Sequence, residues 1–173
     1  MHMPINDQIH LTEFRPADKA ACLHHLGSRE IYDRTLRIPY PYTEADFDGW
    51  LETVAKATER HGEPVHFAIR TGDDSFIGGC GFDGLTKGHR AEIGYWLAKP
   101  YWGQGIMTAV VGRACEHAVV QWKLVRITAH VFDFNAASAR VLEKNGFVCE
   151  GCLRKHYLKD GRFVDSRLYA LVR

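Results

Sequence analysis

The sequence predicts one α/β domain, a mixed sheet with helices on its faces, and three observations predict it. The chain has 173 residues, the size of a single domain. Hydrophobic residues make up 46% and charged residues 25%, the balance of an ordinary globular protein. Segments of period-two alternation and of helical period follow in the order β α α β β β α β α β β. A chain of this length buries about 70% of the surface its unfolded form exposes, so it needs no disulfide or metal to fold.

Each element has a local reason. Residues 9–16, IHLTEFRP, begin as a strand, and residues 17–27, ADKAACLHHLG, read as a helix ended by Gly27. A Pro-rich entry over 37–43 leads to Thr43, an N-cap with Asp46 in the capping-box slot, and the helix continues to about Arg60 before Gly62. Three strands follow, at 65–71, 75–82 and 91–98, with a loop expected over 84–90. In the third, Ala91, Ile93, Tyr95 and Leu97 take one face and Glu92, Gly94, Trp96 and Ala98 the other. An apolar helix runs from the glycines at 103–105 to about Trp122 and is expected to be well buried. In the strand at 125–131, Val125, Ile127, Ala129 and Val131 face inward. A short helix spans 135–146, with Asn135 as N-cap and Gly146 as stop. The last two strands flank Lys159-Asp160-Gly161, where Asp-Gly signals a hairpin.

Composition removes several function classes. Lys plus Arg number 22 and Asp plus Glu 21, so bulk charge points to neither nucleic acid nor an anionic membrane. No apolar run approaches the length of a membrane span. The first residues carry no signal-peptide core, and the expected location is the cytoplasm. One domain is expected over 1–173, with residues 1–8 either disordered or added to the chain. The five cysteines are expected to be reduced and buried. Cys149-Glu-Gly-Cys152 matches C-x-x-C, but two strand residues three apart point to opposite faces. The ten histidines show no metal-ligand spacing, and no metal is expected.

The chemistry is carried by Tyr101-Trp-Gly-Gln-Gly105 between a strand and a helix. The first N–H groups of a helix lack intrahelical partners, and the helix dipole adds positive potential there. Gly103 and Gly105 leave room for several N–H groups to converge on one phosphate. A P-loop needs a lysine, where this chain has Ile106, Met107 and Thr108. The dinucleotide fingerprint needs a third glycine, where this chain has Thr108. A coenzyme A pyrophosphate loop and a plain tight turn remain.

Residues 91–108, AEIGYWLAKPYWGQGIMT, together with 135–147, NAASARVLEKNGF, and the terminal stretch 150–173 resemble the GNAT superfamily of acetyl-CoA-dependent N-acetyltransferases. They look most like the branch that acetylates ribosomal-protein N-termini, the RimJ/RimL type. Residues 38–51 resemble it more loosely. Two positions depart from the pattern: Pro100 stands where the superfamily favours Gln or Arg, and Ala109 where the branch often has an acid.

The resemblance implies a mostly antiparallel mixed sheet with a splayed central strand pair. Backbone groups of Trp96, Leu97 and Ala98 would pair with the pantetheine arm. The N–H groups of Gly103, Gln104, Gly105, Ile106, Met107 and Thr108 would hold the pyrophosphate. Asn135 would bond the pantetheine arm or serve only as a helix cap. Ser138 would protonate the departing thiolate or be an ordinary helix serine, and Arg140 would reach a phosphate or stay at the surface. Glu92 is the candidate base or acceptor anchor, against a solvated strand glutamate. Asp165 and Tyr169 would line the acceptor pocket or pair with neighbours. Tyr40 and Tyr42 would present rings or hydroxyls to the acceptor, or pack the helix entry.

The implied reaction is direct attack of a neutral amine on the thioester, so no cysteine nucleophile is needed. An α-amine, with a pKa near 7.7–8.0, asks less of a base than lysine, near 10.4. The leading acceptor that the resemblance implies is a protein or peptide N-terminus. A small amine such as an amino acid, polyamine or antibiotic is the alternative, and a non-catalytic coenzyme A sensor or scaffold is the alternative of another class. A homodimer is compatible with the sheet edges and aromatics expected at the surface.

Overall fold

The computed structural model describes residues 1–173. The chain divides into two compact units, Met1–Gly81 with Tyr95–Ile106, and Phe82–Gly94 with Met107–Arg173.

In the first unit, β1 (His2–Pro4) pairs antiparallel with β2 (Ile9–Thr12), β2 with β3 (His66–Thr71), and β3 with the start of β4 (Phe76–Thr86). Residues 1–8 thus include a paired strand, and Met3 within it is buried. β3 is buried from His66 through Arg70, because neighbours cover both of its faces. A 3-10 turn (Pro16–Asp18) leads into α1 (Lys19–Leu26), then α2 (Arg29–Arg34) and α3 (Glu44–His61). The sequence reading has no counterpart of α2, whose six residues are too few to display a helical period.

The start of α3 is as expected. The Asp46 amide donates to Thr43 Oγ1 at 3.3 Å, and the Thr43 amide donates to Asp46 Oδ2 at 2.8 Å. The Thr43 hydroxyl, then its amide, holds the Asp46 carboxyl below its ordinary range. Gly62 stops the helix at φ 75°. Phe47 packs with Cys22, Leu26, Ile31, Ala68 and Phe76 into one apolar cluster.

The second unit holds the end of β4, most of β5 (Arg90–Leu97), α4 (Ile106–Trp122 from Met107 on), β6 (Arg126–Phe132), α5 (Ala136–Lys144), β7 (Val148–Lys159) and β8 (Arg162–Val172). β4 runs on to Thr86, where a loop is expected from 84. α4 buries Met107, Val110, Val111, Ala114, Cys115, Ala118 and Trp122, one stripe at helical spacing. β5 and β6 are parallel and in register at Arg90–Glu92 with Arg126–Thr128. β6 and β7 both pair antiparallel with β8. Ile127, Ala129 and Val131 are buried as expected, but Val125 is exposed, because it precedes the first paired residue of β6. Asp160 and Gly161 both take positive φ, 50° and 72°, and make the β7–β8 turn. The strands form one mostly antiparallel sheet in the order β1-β2-β3-β4-β5-β6-β8-β7.

β7 departs from regular pairing twice. Cys149 pairs with Tyr169, Gly151 with Leu168 and Cys152 with Arg167, so Glu150 is an extra residue. That bulge returns Cys149 and Cys152 to the same face, against the expectation of opposite faces, and both thiols are exposed. Only Cys22, Cys80 and Cys115 are buried. Burial pushes the Cys22 and Cys115 thiols up to about 12. The second irregularity lies between Leu153 and Tyr157. There Lys155 takes φ 51° and donates its amide to Asp165 Oδ1 at 2.7 Å. No helix of the chain is long and apolar enough to cross a membrane.

Candidate functional site

In the first unit, the end of β5 is seated by glycines of β4. A Cβ at Gly78 would stand 2.5 Å from the Trp96 carbonyl oxygen, and one at Gly79 would stand 3.0 Å from the Trp96 indole nitrogen. The carbonyl of Trp96 therefore faces β4, and the indole lies over Gly79. The Ala98 amide donates to the Ile77 carbonyl at 2.8 Å, while its carbonyl accepts from Tyr101 at 3.0 Å. Both backbone groups of Ala98 are thus used within the chain. Strand alternation turns the backbone groups of Leu97 to the opposite edge. Its carbonyl accepts from the Trp102 indole at 2.7 Å and keeps a second lone pair.

The glycine turn follows. Lys99–Tyr101 form a 3-10 turn, and Trp102 is extended. Gly103 and Gly105 take φ of 75° and 76°, and a Cβ at either would meet no atom within 4 Å. Left-handed backbone beside open space is what an anion cradle of N–H groups requires. The Gln104 side chain donates to the Pro100 carbonyl at 2.9 Å, so it closes the turn on itself. Lys99 pairs with Glu30 of α2 and holds that carboxyl down at about 2. Arg34 of α2 lies over the Trp102 ring at 5.4 Å.

In the second unit, Asn145 braces the first turn of α4. Its amide nitrogen donates to the Thr108 carbonyl at 3.0 Å and to the Val141 carbonyl at 2.9 Å. Its oxygen lies 2.7 Å from where a Cβ on Gly112 would stand. Gly112→Ala is expected to push Asn145 off Thr108 and to cost about 1–3 kcal/mol by overpacking. Thermal melting together with acetyl-CoA titration checks this, and an unshifted melt would show that Asn145 yields freely. Sequence reasoning missed this pair. A signal was present, since a glycine inside an apolar helix costs about 1 kcal/mol and so implies a packing reason.

Asn135 caps α5, accepting from the Ser138 amide at 3.3 Å. The structure thus gives Asn135 the cap role and places Ser138 on the first turn, half-buried. Arg140 is exposed and lines a cleft of about 170 Å³ with Asp133, Glu143 and Arg167. The Tyr169 hydroxyl donates to Glu143 Oε1 at 3.0 Å, and Asp165 caps the β7 irregularity, so these two residues pair with neighbours. Burial, then the Glu143 carboxylate, raises the Tyr169 hydroxyl.

Glu92 is half-buried and in register with Thr128. Thr128, His130 and Phe132 share a face of β6. Two residues on from Glu92, on the same face of β5, Gly94 has nothing within 4 Å of where its Cβ would be.

The two tyrosines separate. Tyr42 packs against the cluster around Phe47, and its hydroxyl shares a hydrogen bond with the Cys22 thiol. Burial raises that hydroxyl well above its ordinary range. Tyr40 is 43% exposed, with its ring 5.5 Å from that of Tyr32 and the Arg29 guanidinium 5.4 Å above it. Of the residues named from the sequence, Tyr40, Tyr42, Trp96–Ala98 and Gly103–Ile106 lie in the first unit. Glu92, Met107, Thr108, Asn135, Ser138 and Arg140 lie in the second.

Comparison with known proteins gives four findings. The family profile of the acetyltransferase (GNAT) domain matches residues 8–148. The probable N-acetyltransferase YjcK of Bacillus subtilis is 40% identical over 113 residues, 64% of this chain and 62% of its own. The ribosomal-protein-serine acetyltransferase of Escherichia coli is 32% identical over 101 residues, 58% of this chain and 56% of its own. The matched stretches therefore span less than two thirds of these relatives. A solved RimL, a ribosomal L7/L12 α-N-protein acetyltransferase in complex with coenzyme A, superposes with a TM-score of 0.88 at 19% identity. That superposition covers 99% of this chain and 98% of RimL, and it shows the shared fold.

Proposed function

Since the chain belongs to the GNAT acetyltransferase domain family, we propose that it transfers the acetyl group of acetyl-CoA to a primary amine, foremost the N-terminal amine of a protein or peptide. The observation that carries this reading is the turn in which Gly103 and Gly105, both at positive φ beside open space, lead into α4. The amides of Gly103 to Thr108 hold the pyrophosphate there, with the α4 dipole behind them. Leu97 offers the free edge of β5 to the pantetheine arm in the manner of an added strand. Ala98 contributes its conformation, because its own backbone groups are already paired.

Ser138 protonates the departing thiolate, and Asn135 fixes the helix turn that carries Ser138. Glu92 meets the acceptor amine. The activities of the serine acetyltransferase and of RimL support a protein N-terminus, and the modest basicity of an α-amine supports it chemically.

Tyr40, exposed on α2's aromatic cluster, is a wall of the acceptor site. Tyr40→Ala is expected to raise the acceptor KM several-fold with the acetyl-CoA KM unmoved. Tyr42→Ala is expected instead to lower stability by about 2 kcal/mol, less than a fully buried aromatic would, because Tyr42 is half-buried against the cluster. Steady-state kinetics and melting separate the two, and equal shifts of both KM values in Tyr40→Ala would remove the acceptor role.

Calorimetric titration with acetyl-CoA, with ATP and NAD as controls, tests the co-substrate. Release of free thiol on adding peptides or small amines tests the acceptor. Micromolar binding of acetyl-CoA alone, with release by peptides, is the expected result. Release by small amines alone would move the acceptor to that class, and binding without release would leave a coenzyme A sensor.

A further inference from the structure

We propose that His130 is the group that takes the proton from the acceptor amine, with Glu92 serving as the anchor of the ammonium. The inference rests on the acetyl-transfer reading above and assigns its base.

The geometry is local to the second unit. The parallel register of β5 and β6 reaches Glu92 opposite Thr128. The pairing stops there, and two residues further along each strand Gly94 of β5 and His130 of β6 lie on the face that bears Glu92 and Thr128. Gly94 does not have positive φ, so its backbone makes no demand for glycine. What its missing side chain provides is open space, since a Cβ there would meet nothing within 4 Å. A carboxylate, an imidazole and a vacant strand position thus share one face.

His130 is held for the task. Its Nδ1 lies 3.4 Å from Oγ of Ser166, a fully buried residue of β8. That contact leaves Nε2 as the nitrogen to meet an acceptor. The His156 ring stacks on His130, with centroids 5.3 Å apart and planes 11° apart. His156 is exposed and reaches this position from the irregular stretch of β7, beside Lys155 at φ 51°. Tyr157 meets both histidines edge-on, at 6.1 Å and 4.4 Å, and Phe132 at 5.9 Å. The polar groups in contact with His130 are therefore Ser166 on β8 and His156 and Tyr157 on β7, while Glu92 on β5 and Thr128 on β6 lie on the same face of the sheet.

The chemistry fits an imidazole. A base is most effective when its pKa lies near working pH, and an imidazole ordinarily titrates near 6.5 against about 4.3 for a glutamate. One proton leaves the ammonium for Nε2 of His130. The freed lone pair forms the C–N bond as the C–S bond breaks. A second proton leaves the nitrogen while the departing thiolate takes one by way of Ser138. The net proton leaves His130 for water.

The test is the pH dependence of kcat at saturating acetyl-CoA and peptide. In the unaltered protein kcat is expected to fall as pH drops through the imidazole range, because the protonated ring cannot accept. His130→Gln, which can still bond Ser166, is expected to lose that limb and roughly 10²-fold in kcat at pH 8, with the acetyl-CoA KM unmoved. Glu92→Gln is expected to raise the acceptor KM and keep the limb. Gly94→Val, which adds bulk only to open space, is expected to raise the acceptor KM without lowering the melting temperature. Calorimetry of His130→Gln with acetyl-CoA supplies a readout apart from turnover and is expected to match the unaltered protein.

A limb that survives His130→Gln, or that disappears with Glu92→Gln, would overturn the assignment while leaving acetyl transfer intact. So would an acceptor KM indifferent to Gly94→Val. Absence of thiol release from the unaltered protein with every amine would overturn the transferase reading, and this assignment with it.

Discussion

Arg70→Met is expected to destabilise the protein by about 3–5 kcal/mol, the cost of leaving a buried charge without its partner. The Arg70 and Asp18 side chains are 3% and 4% exposed. Nη2 of Arg70 donates to both Asp18 carboxylate oxygens at 2.8 Å, Nε donates to Thr12 Oγ1 at 2.7 Å, and Nη1 donates to the Asp74 carbonyl at 3.2 Å. Asp18 also accepts the Arg15 amide at 2.8 Å. The guanidinium therefore joins β2, β3, the turn before α1 and the β3–β4 turn. Methionine keeps the apolar stem but strands the carboxylate in a buried site. Adding Asp18→Leu to Arg70→Met should recover most of the loss, because a matched apolar pair carries no desolvated charge. Urea unfolding with an unchanged m-value measures both steps. A loss under about 1 kcal/mol for Arg70→Met would mean that solvent reaches Asp18.

The combined Gly103→Ala and Gly105→Ala change is expected to weaken acetyl-CoA binding by roughly 10- to 100-fold. An alanine held left-handed costs about 1–2 kcal/mol, and each 1.4 kcal/mol is a factor of ten in affinity. The turn escapes that strain by relaxing, which rotates the amides off the pyrophosphate. Neither Cβ would collide with the chain itself, so the effect should appear in binding more than in packing. Gly161→Ala is the matched control. It has φ 72° and open space, but lies in the β7–β8 turn. That variant should lose stability and retain acetyl-CoA affinity. Calorimetric titration of the two proteins decides the matter, and equal affinities would make the glycine turn a structural feature only.

The features that depend on a few adjacent residues were legible in the sequence. Thr43 and Asp46 cap α3, Asn135 caps α5, Asp160-Gly161 turn the last hairpin, and Gly103 and Gly105 make a turn before α4. Caps, turns and helical periods are local, so composition and spacing are enough to place them. What the tertiary structure alone decided depends on residues distant in the chain. Ala98 is withdrawn from the edge of β5 because Ile77 takes its amide. Tyr42 is drawn into packing by Cys22 on α1, while Tyr40 stays exposed. The extra Glu150 in β7 reverses the phase of everything after it, which brings Cys149 and Cys152 to one face. His130 acquires its partners only when β8 pairs with β6 and β7 pairs with β8. Bulges and edge assignments are settled by which strand lies alongside, and a single sequence carries no local signature of its neighbour.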